Sequence, residues 1–266
     1  MTTRILVGVT QMELEPWLSI MEDGQKKTWM PRCPDEVNII NLFGTKPNFF
    51  LKQADKFHEF LRLNPLGNGI SNRFDLFASK FLQRRTIPKW TLSTSENLIR
   101  MDADCSCTYM TGVIREFSLF KYFLDFTQDD YLYMTNTSSY VNLENLREQV
   151  KGFPRKNVYG GTRLPFDDFY FCSGSNRIFS RDVVELLVQN FQNIKYCYFN
   201  DVAIGELLNQ TDLIHVDIPS LTFTTAEEIM SFDKNIIKKT VHFRLKSGNF
   251  KQRNDPQLMK VINSII

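Results

Sequence analysis

Histidine is scarce in this 266-residue chain: His58, His215 and His242 are the three, far apart, and no H-x₃-H pair exists. Five cysteines (Cys33, Cys105, Cys107, Cys172, Cys197) make an odd number without a framework spacing. The C-x-C at Cys105 and Cys107 has no C-x-x-C partner, so structural zinc and a disulfide scaffold are both disfavoured and reduced thiols are expected. The phosphate-loop pattern G-x-x-x-x-G-K-[ST] and the dinucleotide pattern G-x-G-x-x-G are also missing, which argues against those folds. No apolar run approaches the ~20 residues that span a bilayer. The opening MTTRILVGVTQMELEPW lacks the order of a signal peptide. A net charge of +2 gives no strong pull toward nucleic acid or membrane surfaces. These absences lead to the expectation of a cytoplasmic protein of bacterial or viral origin, with no nucleic-acid partner and no transmembrane segment. Without repeats, low-complexity tracts or a long linker, a single domain over 1–266 is expected.

What is present is core. Hydrophobic residues make up 42% of the chain and phenylalanine alone supplies 23 positions, enough for a large interior. RILVGVT (4–10) reads as a fully buried strand, LEPWLSIMEDGQKKTWM as helical, and EVNIINLFG as a second buried strand. PNFFLKQADKFHEFLRL has amphipathic helical spacing, and the basic, aromatic stretch 64–96 shows no clear period. NLIRMDAD resembles a strand running into acidic residues, and YMTGVIREFSLFKYFLDF (109–126) has helical spacing with Gly112 its weak point. A strand DDYLYM, a helix from about Asn142 to Val150, NVYGGTRLPF and a strand DFYFCSG follow. Then come SRDVVELLVQNF, a helix capped by Ser180, and NDVAIGELLNQ, with Asn200 or Asp201 as its cap. DLIHVDIPSLTF reads as one or two strands, KKTVHFRLKSG as another, and DPQLMKVINSII as a closing helix. Strands alternating with helices predict an α/β sandwich whose mixed sheet is mostly parallel and flanked by helices.

TNTSSYVN (135–142) stands where the strand DDYLYM ends and the chain turns helical. In open α/β sheets ligands bind beyond the carboxyl ends of the strands. A charged ligand calls for charged side chains there, yet Asn136, Thr137, Ser138 and Ser139 offer one amide and three hydroxyls.

Five stretches, in order, resemble the β-1,3-glycosyltransferase superfamily that includes the galactosyltransferases and the Fringe proteins, nucleotide-sugar enzymes of the GT-A fold. GQKKTW (24–29) resembles its Arg-x-Thr-Trp signature, with Lys26 at the Arg position. DCSCTYMTGVIRE (104–116) resembles Asp-Phe-x-Asp-Ser-Tyr-x-Asn-Leu-Thr-x-Lys: Asp104, Tyr109 and Arg115 match, and Cys107 replaces an Asp. DYLYMTNTSSYVNLENL (130–146) resembles the strand and turn Lys-Thr-Asp-Asp-Asp-Thr-Phe-Val-Asn-Leu. FYFCSGSNRIFSRDVVELL (169–187) is similar to the Tyr-x-x-Gly-x-Gly-Tyr-x-x-Ser-x-Asp segment on the acceptor side. FNDVAIGELL (199–208) resembles the Glu-Asp-Val-x-x-Gly loop. Together they cover roughly residues 4–246.

The resemblance implies a GT-A-like domain moving a sugar from a nucleotide-diphosphate donor, UDP-sugar first among candidates, to a glycan or other hydroxyl acceptor, with inversion. It implies Asp201 as general base and Asp168 and Gly174 on the acceptor side. The family's acidic triplet holds a divalent metal against the diphosphate; Asn136, Thr137 and Ser138 occupy those positions here. Manganese or magnesium binding is therefore expected to be weakened or absent, and no organic cofactor is implied. Three uses of the turn stay open: weak metal ligation by Asn136 and Ser138 with His242, direct hydrogen bonding to the donor, or simple capping of the next helix. Asp102 and Asp104, a literal Asp-x-Asp, are a fallback metal site. Arg115, Arg244 and Lys246 are candidate donor contacts, since positive charge must come from side chains where metal is missing. The alternative is a catalytically inactive module of the same fold that binds nucleotide sugar or glycan.

Overall fold

The computed structural model describes residues 2–45, 86–95, 98–106, 112–195, 199–248 and 252–266. A seven-stranded sheet runs β3-β4-β2-β1-β5-β8-β7. Its strands are β1 (Ile5–Thr10), β2 (Val37–Thr45), β3 (Trp90–Ser95), β4 (Leu98–Ser106), β5 (Tyr131–Asn136), β7 (Tyr159–Phe166) and β8 (Phe169–Ser180). The pairs β4–β2, β2–β1 and β1–β5 are parallel, whereas β3, β8 and β7 pair antiparallel. The parallel character is thus confined to four central strands, and both flanks run antiparallel. A smaller sheet orders β6 (Ser139–Val141), β10 (His242–Leu245) and β9 (Ser220–Phe223) as β6-β10-β9.

Burial on both faces explains the apolar runs of the central strands. The period of two sends Ile5, Val7 and Val9 to one core cluster and Leu6 to the other, across the sheet. Helix α1 (Gly112–Phe126) lies on the second face, and a Cβ at Gly8 would sit 2.3 Å from the Leu119 side chain. Close approach of helix to strand is therefore what Gly8 allows. Helices α2 (Leu143–Val150), α3 (Arg181–Gln189), α4 (Asn200–Leu208), α5 (Ala226–Ser231), α6 (Lys234–Lys239) and α7 (Asp255–Ile265) complete the layers.

Several expectations change. The segment after β1 is a chain of short turns, not one helix: Trp17–Ser19 is α-helical, Ile20–Gly24 a π-turn, and Gln25–Lys27 and Met30–Arg32 are 3₁₀. Gly24 leaves helical dihedrals (φ −103°, ψ −82°), which breaks the run just before Gln25. β4 continues through Asp102 and Asp104 and does not end at them. In DLIHVDIPSLTF only Ser220–Phe223 forms a strand, since Pro219 brings no N–H to a ladder, and Ile214 makes a lone bridge to Val158. Ser180 stands at the cap position of α3, but its hydroxyl accepts from Val158 N–H and donates to Asp182 instead of capping. For α4 the cap position is Phe199, with Asn200 and Asp201 inside the first turn. The helix read at 47–63, the segment 64–85, His58, Cys107 and Cys197 lie outside the described residues. Cys33, Cys105 and Cys172 form no disulfide.

Candidate functional site

β1, β2, β4 and β5 run parallel, so their carboxyl ends share one edge, and the turn after Asn136 lies there. Buried amides hold that turn. Gln25 Nε2 reaches the carbonyls of Asn136 (3.1 Å), Thr137 (3.0 Å) and Ser139 (3.3 Å). Gln11 Nε2 donates to Gln25 Oε1 (2.7 Å) and Asn41 Oδ1 (2.9 Å). The Thr137 hydroxyl lies 3.1 Å from Thr10 O and 2.9 Å from Gln11 Oε1 and can donate to either. Because each buried polar group has a partner, the backbone of the turn is fixed before any ligand arrives.

The Asn136 side-chain oxygen Oδ1 accepts from Ser138 N–H (3.2 Å), the Ser139 hydroxyl (3.1 Å) and the Arg244 guanidinium. Arg253 donates to the Ser138 hydroxyl (3.1 Å) and Leu245 O (2.9 Å), and forks onto the buried Asp255 at 2.7 Å. His242 is wholly buried, with Nε2 3.0 Å from Ser139 Oγ and Nδ1 2.7 Å from Ser220 Oγ. Burial, with Arg244 adding to it, lowers its pKa to about 3. Pairing of β10 with β6 explains these contacts, since Arg244 stands opposite Ser139. Lys246 is exposed just past β10, and its N–H donates to Phe223 O.

Asp201 faces β8. Its Oδ2 accepts from Gly174 N–H (2.8 Å) and its Oδ1 from Val202 N–H (3.0 Å). A Cβ at position 174 would come within 3.3 Å of that carboxylate, so glycine keeps the approach open. Beneath it, Glu116 and Arg177 form a fully buried ion pair at 2.5 Å, and Asn200 Nδ2 donates to Glu116 at 2.5 Å. Burial pushes the Glu116 carboxyl up, opposed by Arg177, Asn200 and Arg115. Burial also works against the Arg177 charge, but Glu116, Tyr159 and Asp201 outweigh it and hold its pKa up.

Helix α1 joins the two walls. Arg115 NH1 donates to Gln11 O (3.1 Å) on the turn side, while the next residue, Glu116, holds Asn200 on the other. The Thr135 hydroxyl adds a second link, donating to Ser175 O at 2.8 Å. Asn136, Thr137, Ser138, Arg244, Arg115, Gly174 and Asp201 are thus drawn around one strand edge. Asp168 is elsewhere, exposed in the β7–β8 hairpin turn beside Asp167.

The residues at the turn do not fit a divalent metal. A guanidinium holds the Asn136 oxygen, Arg253 the Ser138 hydroxyl, and two serines the His242 nitrogens. Two unit charges 4 Å apart repel by about 4 kcal/mol at an effective dielectric of 20, and a divalent ion doubles that. Asp102 is forked onto Arg100 at 2.7 and 2.8 Å, and Asp104 is exposed. Among the described residues no group of three or more His, Cys, Asp or Glu side chains could hold a metal ion. Thiol chemistry is also unsupported: Cys172 lies 4.0 Å from His215 Nδ1, but burial pushes its thiol up to about 12. Two cavities are lined by other residues, one of about 130 Å³ at Tyr159, Cys172 and His215, another of about 410 Å³ at Trp29, Tyr140 and Lys238.

Gln11, Gln25, Asn41, Glu116 and Arg177 were not among the sequence candidates. Asn41 carried a signal, an amide inside the apolar run IINLF, and so did Gln11 at the end of VGVT.

No protein-family model and no curated protein sequence matches the chain. Among solved structures it is similar to the glycosyltransferase GlyE of Streptococcus pneumoniae TIGR4, at 12% identity and a TM-score of 0.41, covering 99% of this chain and 60% of that one. The apo form of GlyE gives 11%, 0.43, 99% and 60%. The galactosyltransferase LgtC in complex with donor and acceptor sugar analogs gives 10% identity and a TM-score of 0.45, covering 98% of this chain and 96% of that one. The chain therefore spans 60% of the length of GlyE. Similarity at this level fixes neither activity nor substrate. No helix among the described residues is long and apolar enough to cross a membrane.

Proposed function

We propose that the chain is a glycosyltransferase domain of GT-A type that moves a hexose, with inversion, from a nucleotide-diphosphate sugar to a hydroxyl of a glycan acceptor. One observation carries this reading. At the carboxyl edge of the parallel strands an amide-and-arginine turn at Asn136 stands on one side and a carboxylate, Asp201, on the other, with Arg115 and Glu116 joining them.

In the transfer, the acceptor oxygen bonds to the anomeric carbon as the bond from that carbon to the diphosphate oxygen breaks. The acceptor proton passes to Asp201, and the diphosphate leaves as an anion toward Asn136 and Arg244. A carboxylate is suited to the first task, and donors aimed at developing negative charge to the second. Uracil is the base we expect on the donor.

The second reading, a catalytically silent module that binds nucleotide sugar, has an observation of its own. Both Asp201 oxygens already accept main-chain N–H groups, as a purely structural carboxylate would. A thermal-shift screen of nucleotide sugars tests the shared part of both readings. Ligand at 100 times its dissociation constant stabilises the fold by about 2.7 kcal/mol. A clear rise in melting temperature with one donor class is expected; no shift with any would reject both.

A further inference from the structure

At the other end of β6 from the Asn136 turn lies the larger of the two cavities described above, about 410 Å³. That volume falls in the range of small-molecule sites, roughly 300–1,000 Å³. The turn Met30–Arg32 with Trp29 before it, the end of β6, the first turn of α2, the last turn of α6 and the end of α7 wall it. Trp29, Tyr140 and Leu143 are its buried lining, whereas Arg32, Glu144 and Lys238 are exposed. The cavity thus has an apolar, largely aromatic floor and a charged rim.

The floor carries one unmet donor. Trp29 Nε1 is buried and has no hydrogen-bond partner. The Tyr140 hydroxyl, by contrast, meets Asn263 Oδ1 at 3.2 Å. Buried polar groups almost always find a partner, and an indole nitrogen can only donate. A donor left over in the wall of a cavity calls for an acceptor from whatever fills it.

The rim is biased toward cations. Among the described residues neither Arg32 nor Lys238 enters a salt bridge, and the Arg32 guanidinium reaches only neutral oxygens. Glu144, the acidic side chain at the rim, is paired with Arg147 at 2.9 Å. The N-terminus of α2 adds partial positive charge at the same edge.

We propose that this cavity is a second ligand site, which takes a small amphipathic anion. Its apolar body lies over Tyr140 and Leu143, an acceptor meets Trp29 N–H, and its acid group sits between Arg32 and Lys238. The site is independent of the transferase reading and stands if that reading fails.

Three probes test it on the full chain: 8-anilinonaphthalene-1-sulfonate, its uncharged counterpart N-phenyl-1-naphthylamine, and inorganic sulfate. Binding is followed by calorimetry and by the indole N–H signals in proton–nitrogen NMR spectra, three in all for Trp17, Trp29 and Trp90. The aromatic sulfonate should bind one site and move the Trp29 signal, assigned with W29F, while Trp17 and Trp90 stay in place. Sulfate and the uncharged amine should each bind at least about tenfold more weakly. R32Q/K238Q changes only exposed side chains, so the fold should persist. It should weaken the sulfonate about tenfold and leave the amine within about twofold. A Trp29 signal unmoved at saturation, movement of Trp90 alone beside the exposed Phe126, or an R32Q/K238Q variant that binds like the wild type would each overturn the site. Sulfate binding as tightly as the sulfonate would overturn the apolar floor, and with it the ligand class.

Discussion

On the β5 side of the site the polar atoms around the turn are amides, hydroxyls and two guanidiniums. On the β8 wall a half-buried carboxylate, Asp201, rests on main-chain N–H groups above the buried Glu116–Arg177 pair. On the proposed reading the first wall receives the diphosphate charge and the second the acceptor proton. They are also stiffened differently. Neutral amides, each satisfied by another, fix the turn, while a desolvated ion pair underlies Asp201. Amides lose little when buried together, whereas an ion pair loses much if one member goes. The two walls should therefore respond to mutation on different scales.

The largest effect is expected beneath the β8 wall. R177M leaves Glu116 buried without its partner, a situation that typically costs about 3–5 kcal/mol. Urea denaturation should show that loss, and E116Q/R177M should regain at least half of it, because a glutamine can still accept from Asn200. If R177M costs under about 1 kcal/mol, the contrast between the walls is not one of charge.

A smaller effect is expected at the amide network. Q25L removes the donors that reach three turn carbonyls and takes one of two acceptors from the Gln11 amide. An unpaired buried polar group costs about 1–3 kcal/mol, and the loosened turn should raise the KM for donor more than it lowers kcat. An unchanged KM would mean that the turn does not position the donor.

Per pH unit, the smallest effect concerns His242. His242 has a folded-state pKa of about 3 against an ordinary 6.5, so between those values the unfolded chain binds the extra proton. Stability therefore falls as pH drops from 6.5 toward 3, by up to about 1.4 kcal/mol per unit. In H242Q that contribution disappears, and denaturation midpoints followed from pH 6 to 4 should decline less steeply than in the wild type. Equal slopes would place a charged or solvated imidazole at this position.

Much of this layout could be read from residue order. β1 and β2 announce themselves because strands buried on both faces are continuously apolar. The turn at Asn136 is visible because a polar run ends such a strand, and His242 and Arg244 share a face because strands alternate. The groups that stiffen the site were not legible. Gln25 sits among ordinary polar residues in EDGQKKT, and only the break at Gly24 turns it inward. Glu116 looks like one more polar position on an amphipathic helix, yet α1 is buried almost all round because α3 and α4 cover its outer side. Arg177 lies in a strand whose alternation would equally suit a solvent-facing cation. These assignments depend on contacts far apart in sequence, which local patterns do not encode. Helix caps failed for a related reason: the Ser180 hydroxyl is claimed by Val158 before it can cap α3.

The central claim is that Asp201 takes the acceptor proton while the opposite wall holds the donor. Paired measurements on D201N test it: turnover with donor and acceptor, and the dissociation constant for donor alone. Asparagine keeps the size of the side chain and an oxygen for Gly174 N–H, so the fold should persist. Turnover should drop about 10²–10⁴-fold, the usual contribution of general-base assistance, while the donor dissociation constant moves by less than about threefold, under roughly 1 kcal/mol. Retention of more than about a tenth of wild-type turnover would contradict the account, and loss of donor binding together with turnover would assign Asp201 to the scaffold.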